Sequence, residues 1–219
     1  MIKADLHVHT HYSGDSDTTL EKLVERCREL GLGAIAVTDH DTADGALALA
    51  GQTLPFKVIV GEEVASTEGE VIGLFLKETI PGGLSPEETI RRIRGQGGLV
   101  CIPHPFDRYR SSAMQASTLE RIAGQIDIVE VFNARSIPAQ NLSLPGKFAR
   151  VHKLLAGAGS DSHSAAEIGR AYVTIPDFEG RDDFLTAMAQ AQVHAHHHSP
   201  FIYVRSLSRR IKKLFRSRH

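Results

Sequence analysis

Apolar positions in this chain follow two alternating periods. Short runs rich in Val, Ile and Ala occupy residues 2–8 (IKADLHV), 34–41 (AIAVTDHD), 56–64 (FKVIVGEEV), 99–105 (LVCIPHP), 127–135 (DIVEVFNAR) and 156–163 (AGAGSDSH). Runs of this length and composition predict buried parallel strands. Between them the spacing changes to that of a helix. In 18–30 (TTLEKLVERCREL), Leu20, Leu23, Val24, Cys27 and Leu30 fall at helical spacing, Glu21 stands three residues after Thr18, and Gly31 supplies a stop. Residues 85–95 open with the helix start Ser-Pro-Glu-Glu, and 144–159 (LPGKFARVHKLLAGAG) predicts a helix running into Gly157 and Gly159. This alternation, punctuated by turn residues such as Pro81-Gly82-Gly83, predicts an α/β fold built on a parallel sheet or barrel. With no fixed-period repeat, GxGxxG or P-loop pattern, nucleotide binding through a glycine loop has no support.

The size suits one compact domain, since 219 residues with 42% hydrophobic and 23% charged content are enough to bury a full α/β core. The longest apolar runs, such as 71–76 (VIGLFL), fall far short of a bilayer, and the chain starts directly in a strand without a signal-peptide pattern. A cytoplasmic protein is expected. Cys27 and Cys101 have no CxxC partner and are expected to be separate buried thiols in a reducing compartment.

The carboxyl ends of the predicted strands carry the chemistry. His7 and His9 lie two residues apart on the first strand and therefore project from one face, flanked by Asp5 and Asp15. Later strand ends carry Asp39, His40 and Asp41, then Glu62 and Glu63, then His104, and finally Asp161 with His163. In a parallel α/β architecture such ends converge on one pocket, which would gather nitrogen and oxygen donors suited to divalent transition metals. A His and carboxylate set without thiolate favours open catalytic positions over a closed structural zinc site. Clustered divalent cations would activate a water and neutralise charge on phosphoryl oxygens, so no nucleophilic side chain is required.

Taken in order, DLHVHTHYSGDS, TDHD, GEE, PHP and SDSH resemble the polymerase and histidinol phosphatase (PHP) family of metal-dependent phosphoesterases, over residues 1–175. The resemblance implies a distorted seven-stranded (β/α)7 TIM-like barrel, two or three divalent metals (usually zinc, manganese or iron), and hydrolysis of phosphomonoesters or phosphodiesters. It assigns His7, His9, Glu63 and Asp161 to a first metal, with Glu63 bridging to a second; Glu62 takes that role if the strand end is offset by one residue. It assigns His104 to the second metal, and Asp15, His40 and His163 to a third. Many relatives have a histidine shortly after the bridging glutamate where this chain has Glu70. Either the second metal takes a carboxylate there or it is held more loosely.

Asp5 and Asp39 are placed either to hold the second N–H of an imidazole or as plain strand-end and capping residues. Phosphate recognition calls for a fixed guanidinium fork, which makes Arg135 either the phosphate contact or a surface arginine at a loop start, with Arg108 and Arg110 as further candidates in the loop after His104. His152 has no partner at ligand spacing and is expected to be structural or at the surface, while His11, two residues past His9, either lines the pocket or is a ligand the set does not require. Three function classes follow. The first is a phosphatase or phosphodiesterase acting on a small nucleotide, a small phosphomonoester or an oligonucleotide end. The second is a metal-dependent C–N or C–O hydrolase of amidohydrolase type. The third is a non-catalytic metal-binding regulatory module. Loops such as 108–117 and 136–146 would set the size of a substrate.

Residues 1–200 are thus expected to form the metal hydrolase domain and 201–219 a separate basic tail. The net charge of −1 conceals a tail with seven bases and no acid, following a body rich in acids. In 206–218 (SLSRRIKKLFRSR), Leu207, Ile211, Leu214 and Phe215 give a basic amphipathic pattern suited to nucleic acid, acidic lipid or the chain's own acidic surface. The stretch 193–200 (VHAHHHSP), including His194 and His198, is expected to be an exposed linker with adventitious metal affinity.

Overall fold

Strands and helices alternate through most of a computed structural model that describes residues 1–137 and 143–196. In chain order they are β1 (Ile2–Val8), α1 (Leu20–Leu30), β2 (Ala34–Val37), α2 (Asp44–Ala50), β3 (Lys57–Ser66), β4 (Gly69–Leu74), α3 (Pro86–Gly95) and β5 (Leu99–Ile102), followed by α4 (Ala116–Ile122), β6 (Ile128–Asn133), α5 (Ser143–His152), β7 (Leu155–Gly159), β8 (Ala171–Ile175), α6 (Gly180–Met188) and β9 (Gln192–Ala195). Local chemistry sets the helix ends. Thr19, one residue later than the sequence suggests, caps α1 by accepting the Lys22 N–H, and Gly31 closes it in the left-handed region at φ +60°. Ser85 accepts the Glu88 N–H at the start of α3, with Pro86 in its first turn.

The sheet runs β7-β6-β5-β4-β3-β2-β1-β8-β9. Strands β1, β2 and β3 are parallel, as are β5, β6 and β7. The end of β7 returns to β1, where the Asp161 N–H donates to the His7 carbonyl (2.7 Å) and the His9 N–H to the Ser162 carbonyl (3.0 Å). Seven strands therefore make a nearly closed barrel, in agreement with the expected class.

Three features depart from the simple strand-helix rhythm. The run containing Val71 and Ile72 is β4, antiparallel to both β3 and β5, because Thr67 and Glu68 alone connect it to β3 and so short a link allows only a hairpin. The segment 144–159 is a helix and then a strand, since Lys153 adopts φ +57° just past the end of α5 and the small residues of Ala-Gly-Ala-Gly continue as β7. Beyond the barrel, β8 lies antiparallel along the start of β1 and β9 pairs with β8. Val193, His194 and Ala195 are therefore strand residues and not an exposed linker. His194 is held by Thr174 Oγ1 (3.0 Å) and stacked on Tyr172. The basic tail 201–219 and His197 and His198 lie outside the described residues, as does part of the loop 136–146.

Apolar burial explains why the strands close. Ala4, Ile59, Ile72, Leu74, Cys101 and Ile128 come together in one cluster that also takes Phe178 and Phe184. Leu23, Cys27 and Leu49 pack α1 and α2 on the outer face of β1 and β2, and Ile90, Ile93, Leu119 and Phe148 cover the far side. Both cysteines are buried and unpaired. Among the described residues no helix is long and apolar enough to cross a membrane.

Candidate metal centre

Alternation along the strands carries the inward face upward from this apolar floor. Residues two or four further on from Ile59 on β3, two before Ile72 on β4 and two after Ile128 on β6 are Gly61 and Glu63, Glu70, and Glu130. The bottom of the barrel is thus hydrocarbon and the top is carboxylate. His7 and His9 enter the same space at the end of β1, and His104 and Asp161 follow β5 and β7. Both of these last two sit in the left-handed region, at φ +31° and +51°, a conformation that persists in L-residues only when neighbours hold it.

The innermost group is His7, His9, Glu63 and Asp161, all at most 1% exposed. His7 Nε2 and His9 Nε2 are 3.0 Å apart, and Glu63 Oε2 is 3.4 Å from each. Asp161 Oδ1 is 3.5 Å from His9 Nε2 and 3.9 Å from His7 Nε2. Outer partners assign the ring protons. His7 Nδ1 faces Glu130 Oε1 (3.1 Å), an acceptor only; His9 Nδ1 faces Ser13 Oγ (3.1 Å), whose own proton goes to Asp39 Oδ1 (2.7 Å). Both rings therefore carry a proton on Nδ1, which leaves each Nε2, 3.0 Å from the other, as the position that a cation or a second proton would take. Glu63 Oε2 and Asp161 Oδ1 accept no hydrogen bond among the described residues. These four atoms crowd one point, an arrangement that a cation would match, since ligand atoms bound at about 2.0–2.2 Å stand roughly 3–3.5 Å apart.

A second group adjoins it. His104 Nε2 lies 3.0 Å from Glu63 Oε1 and 3.3 Å from Glu70 Oε2, while His40 Nδ1 lies 3.1 Å from Glu63 Oε2 and 3.8 Å from Glu70 Oε1. Toward solvent, Asp15 Oδ2 is 3.2 Å from His163 Nε2 and 3.7 Å from His40 Nε2. Asp15 and His40 are 24% and 31% exposed at their side chains, so this third group forms the mouth of the pocket. Ligand-type atoms within 4.8 Å of one another occur in His7/His9/Glu63, in His40/Glu63/Glu70 and in His9/His40/His163. All nine predicted metal-type residues therefore meet in one cluster, with Glu63, His40 and His9 each contributing to more than one group.

Electrostatics follow from this crowding. Burial depresses His7, yet the carboxylates of Glu63, Glu130 and Asp161 overcome it and hold the ring well above its ordinary value. His9 is held well below, first by burial and then by His163 and His40. Burial and Arg110 push His104 down, but hydrogen bonds to Glu63 and Glu70 carry it up to about 9. Glu63 and Asp161 lie well below the usual carboxylate range despite burial, through His7 and His40 for the first and Arg110 and His7 for the second. Without a metal, protons are what balance the acids here.

Other candidates separate clearly. Glu62 points away from the cluster and accepts the Ile80 N–H (2.8 Å), which identifies Glu63 as the inward carboxylate. Asp39 acts through Thr10 and Ser13, and Gly45 makes room for it, since a Cβ there would lie 2.4 Å from Asp39 Oδ2. Asp5 touches no imidazole; it accepts N–H groups from Ser160 and Gly169 (both 2.9 Å) and fastens the barrel closure. His11 is exposed against Tyr12, and His152 pairs with Glu120 (3.2 Å). Arg135 does reach the cluster, with Nη1 against His163 Nδ1 and 3.4 Å from the Asp161 carbonyl. Arg108 is exposed, whereas Arg110 turns inward, donating to Asp161 Oδ2 and Asn133 Oδ1. Glu130 and Asn133 were visible in the run 127–135 without any signal of their role; only the register of β6 aims Glu130 at His7.

A family profile of the PHP domain matches residues 5–127, more than half of the chain. The chain belongs to the PHP family. A PHP-associated profile matches residues 143–193, which include α5, β7, β8, α6 and the first half of β9. An uncharacterized protein of Methanocaldococcus jannaschii is 42% identical over 146 residues, 61% of this PHP chain and 82% of that protein. The phosphoribosyl 1,2-cyclic phosphate 1,2-diphosphodiesterase of Eggerthella lenta is 35% identical over 85 residues, which span 35% of this chain and only 32% of that enzyme. Among solved structures, a two-domain protein of Bacteroides vulgatus containing a predicted PHP-like metal-dependent phosphoesterase matches with TM-score 0.67 at 18% identity, covering 89% of this chain and 65% of that one. That likeness is one of fold.

Proposed function

We propose that this PHP protein is a metal-dependent phosphoesterase acting on a small phosphorylated substrate. The observation that carries the reading is the convergence of His7 Nε2 and His9 Nε2, 3.0 Å apart, on the hydrogen-bond-free oxygens of Glu63 and Asp161. His7, His9, Glu63 and Asp161 would hold one divalent ion, Glu63, Glu70 and His104 a second, and Asp15, His40 and His163 a third at the mouth. Bound zinc, manganese or iron would supply an activated water and neutralise charge on the phosphoryl oxygens. The chain's own part is to fix the donors: Glu130 and Ser13 set the tautomers of His7 and His9, and Asn133 and Arg110 turn Asp161 so that Oδ1 faces inward. Arg135, 11% exposed beside His163, is the residue we assign to the phosphate, because its planar fork suits a tetrahedral dianion. Two unpaired buried thiols agree with a cytoplasmic setting.

The test is release of inorganic phosphate, or of a nucleotide product from a diester, by manganese- or zinc-loaded protein from 3′,5′-bisphosphonucleosides, histidinol phosphate, short oligonucleotides and aryl phosphates. Metal-dependent release from at least one is expected, lost on chelation. Release from none would contradict the reading.

A further inference from the structure

A single carboxylate reaches ligands of two different cation positions. Glu130, 4% exposed on β6, faces His7 Nδ1 with Oε1 (3.1 Å), and its Oε2 accepts the His104 backbone N–H (2.7 Å) and Asn133 Nδ2 (2.9 Å). Asn133 extends the connection, since its Nδ2 also lies 3.2 Å from Asp161 Oδ2. The contact to His104 matters for a second reason: that residue sits at φ +31°, and the Glu130 carboxylate is what its N–H is tied to. Space for the arrangement comes from Gly159 on β7, where a Cβ would lie 2.2 Å from His7 Cβ and 2.8 Å from Glu130 Oε1. Only glycine admits the pair.

We propose that Glu130 is a positioning residue that ties the cation position of His7, His9 and Asp161 to that of His104 and Glu70, so that the two fill together. The inference rests on the metal reading above and adds a coupling to it. Both Glu130 oxygens serve as acceptors, whereas the isosteric glutamine has one acceptor and one donor. With its amide oxygen toward His7, its NH2 would face two donors, the His104 N–H and Asn133 Nδ2. Turned round, the NH2 would face His7 Nδ1 and drive the ring proton to Nε2, taking the lone pair from the cation. Each orientation keeps one ligand and spoils another.

Calorimetric titration of the chelator-stripped full chain with Mn2+ tests this, with the thermal midpoint of the metal-free protein measured beside it. Wild type is expected to take up ions at the two positions with matched affinity. Glu130→Gln is expected to lose about ten- to a hundredfold in affinity at one position or both and to fill them in separate steps, beside a fall in the metal-free midpoint from the lost buried His7 partner. Wild-type affinities in the variant would overturn the inference, as would a lowered midpoint with unchanged binding, the mark of a purely structural role. Should Glu130→Gln not fold, Glu130→Asp, which keeps the charge but withdraws it by one methylene, is expected to show the same loss, and wild-type binding there would overturn the inference equally. A wild type that binds no Mn2+ would overturn the metal reading and this inference together, a result distinct from uptake that the variant shares.

Discussion

The two ends of the barrel interior are built from the same strands and obey opposite rules. At the floor, Ile59, Ile72, Leu74 and Ile128 meet Phe184 with no polar atom among their side chains, and shape and area alone hold them. Two residues before Ile72 on β4, two after Ile128 on β6 and four after Ile59 on β3, the inward side chains are Glu70, Glu130 and Glu63, the last two as buried as the floor or nearly so. Burying so many acids beside imidazoles costs stability unless each is paired, so this end depends on hydrogen bonds, protons and ions. The difference teaches a division of labour. Apolar packing supplies the fold, and the polar end is free to be arranged for binding.

That contrast can be broken most sharply at the top. Asp161→Ala or His9→Ala is expected to lower turnover by at least about a thousandfold while the circular dichroism of the metal-free protein stays close to wild type. Unaltered rates in either variant would refute the site assignment. On the apolar side, Leu23→Ala removes a fully buried side chain between α1 and β1 and should cost about 3 kcal/mol in denaturant unfolding, with metal affinity unchanged. A metal affinity that fell along with stability would show that the two ends are not separable.

Much of this was legible in the sequence, for stated reasons. The spacing of His7 and His9 guarantees a shared face on any strand, and strand ends in an α/β barrel converge whatever the loops do. Glu62 and Glu63 were different: adjacent residues on a strand point to opposite faces, and only the register of β3 against β4 decides which is inside. The β4 hairpin was hidden because an apolar run carries no mark of strand direction. Strand β9 was missed because the histidine-rich composition of 193–200 masked a short strand. Arg110 could be placed on a loop but not turned inward, since that orientation depends on Asp161, 51 residues away in the chain.

Smaller effects sharpen the comparison further. Glu70→His exchanges a carboxylate for a nitrogen donor beside His104 and should shift the ratio of zinc to manganese affinity by about tenfold toward zinc, read by competition with a chromogenic chelator. An unchanged ratio would remove Glu70 from the second position. Smallest of all, Glu62→Gln should leave metal uptake within about twofold of wild type. Burial raises the Glu62 carboxyl to about 7 from its ordinary value of 4.5. A raised acid favours folding in its protonated form, and that contribution fades as pH climbs from 4.5 through 7. The glutamine variant should therefore show a flatter stability profile across that window in urea unfolding, and a profile parallel to wild type would disprove the assignment.

The central claim, that distant side chains converge to hold a few divalent ions, is tested most directly by counting them. Chelator-stripped protein is reloaded with Mn2+ or Zn2+, desalted and measured by plasma mass spectrometry beside His9→Ala. Two or three ions per wild-type chain are expected, with fewer in the variant. Fewer than one ion per wild-type chain at saturating metal would contradict the account.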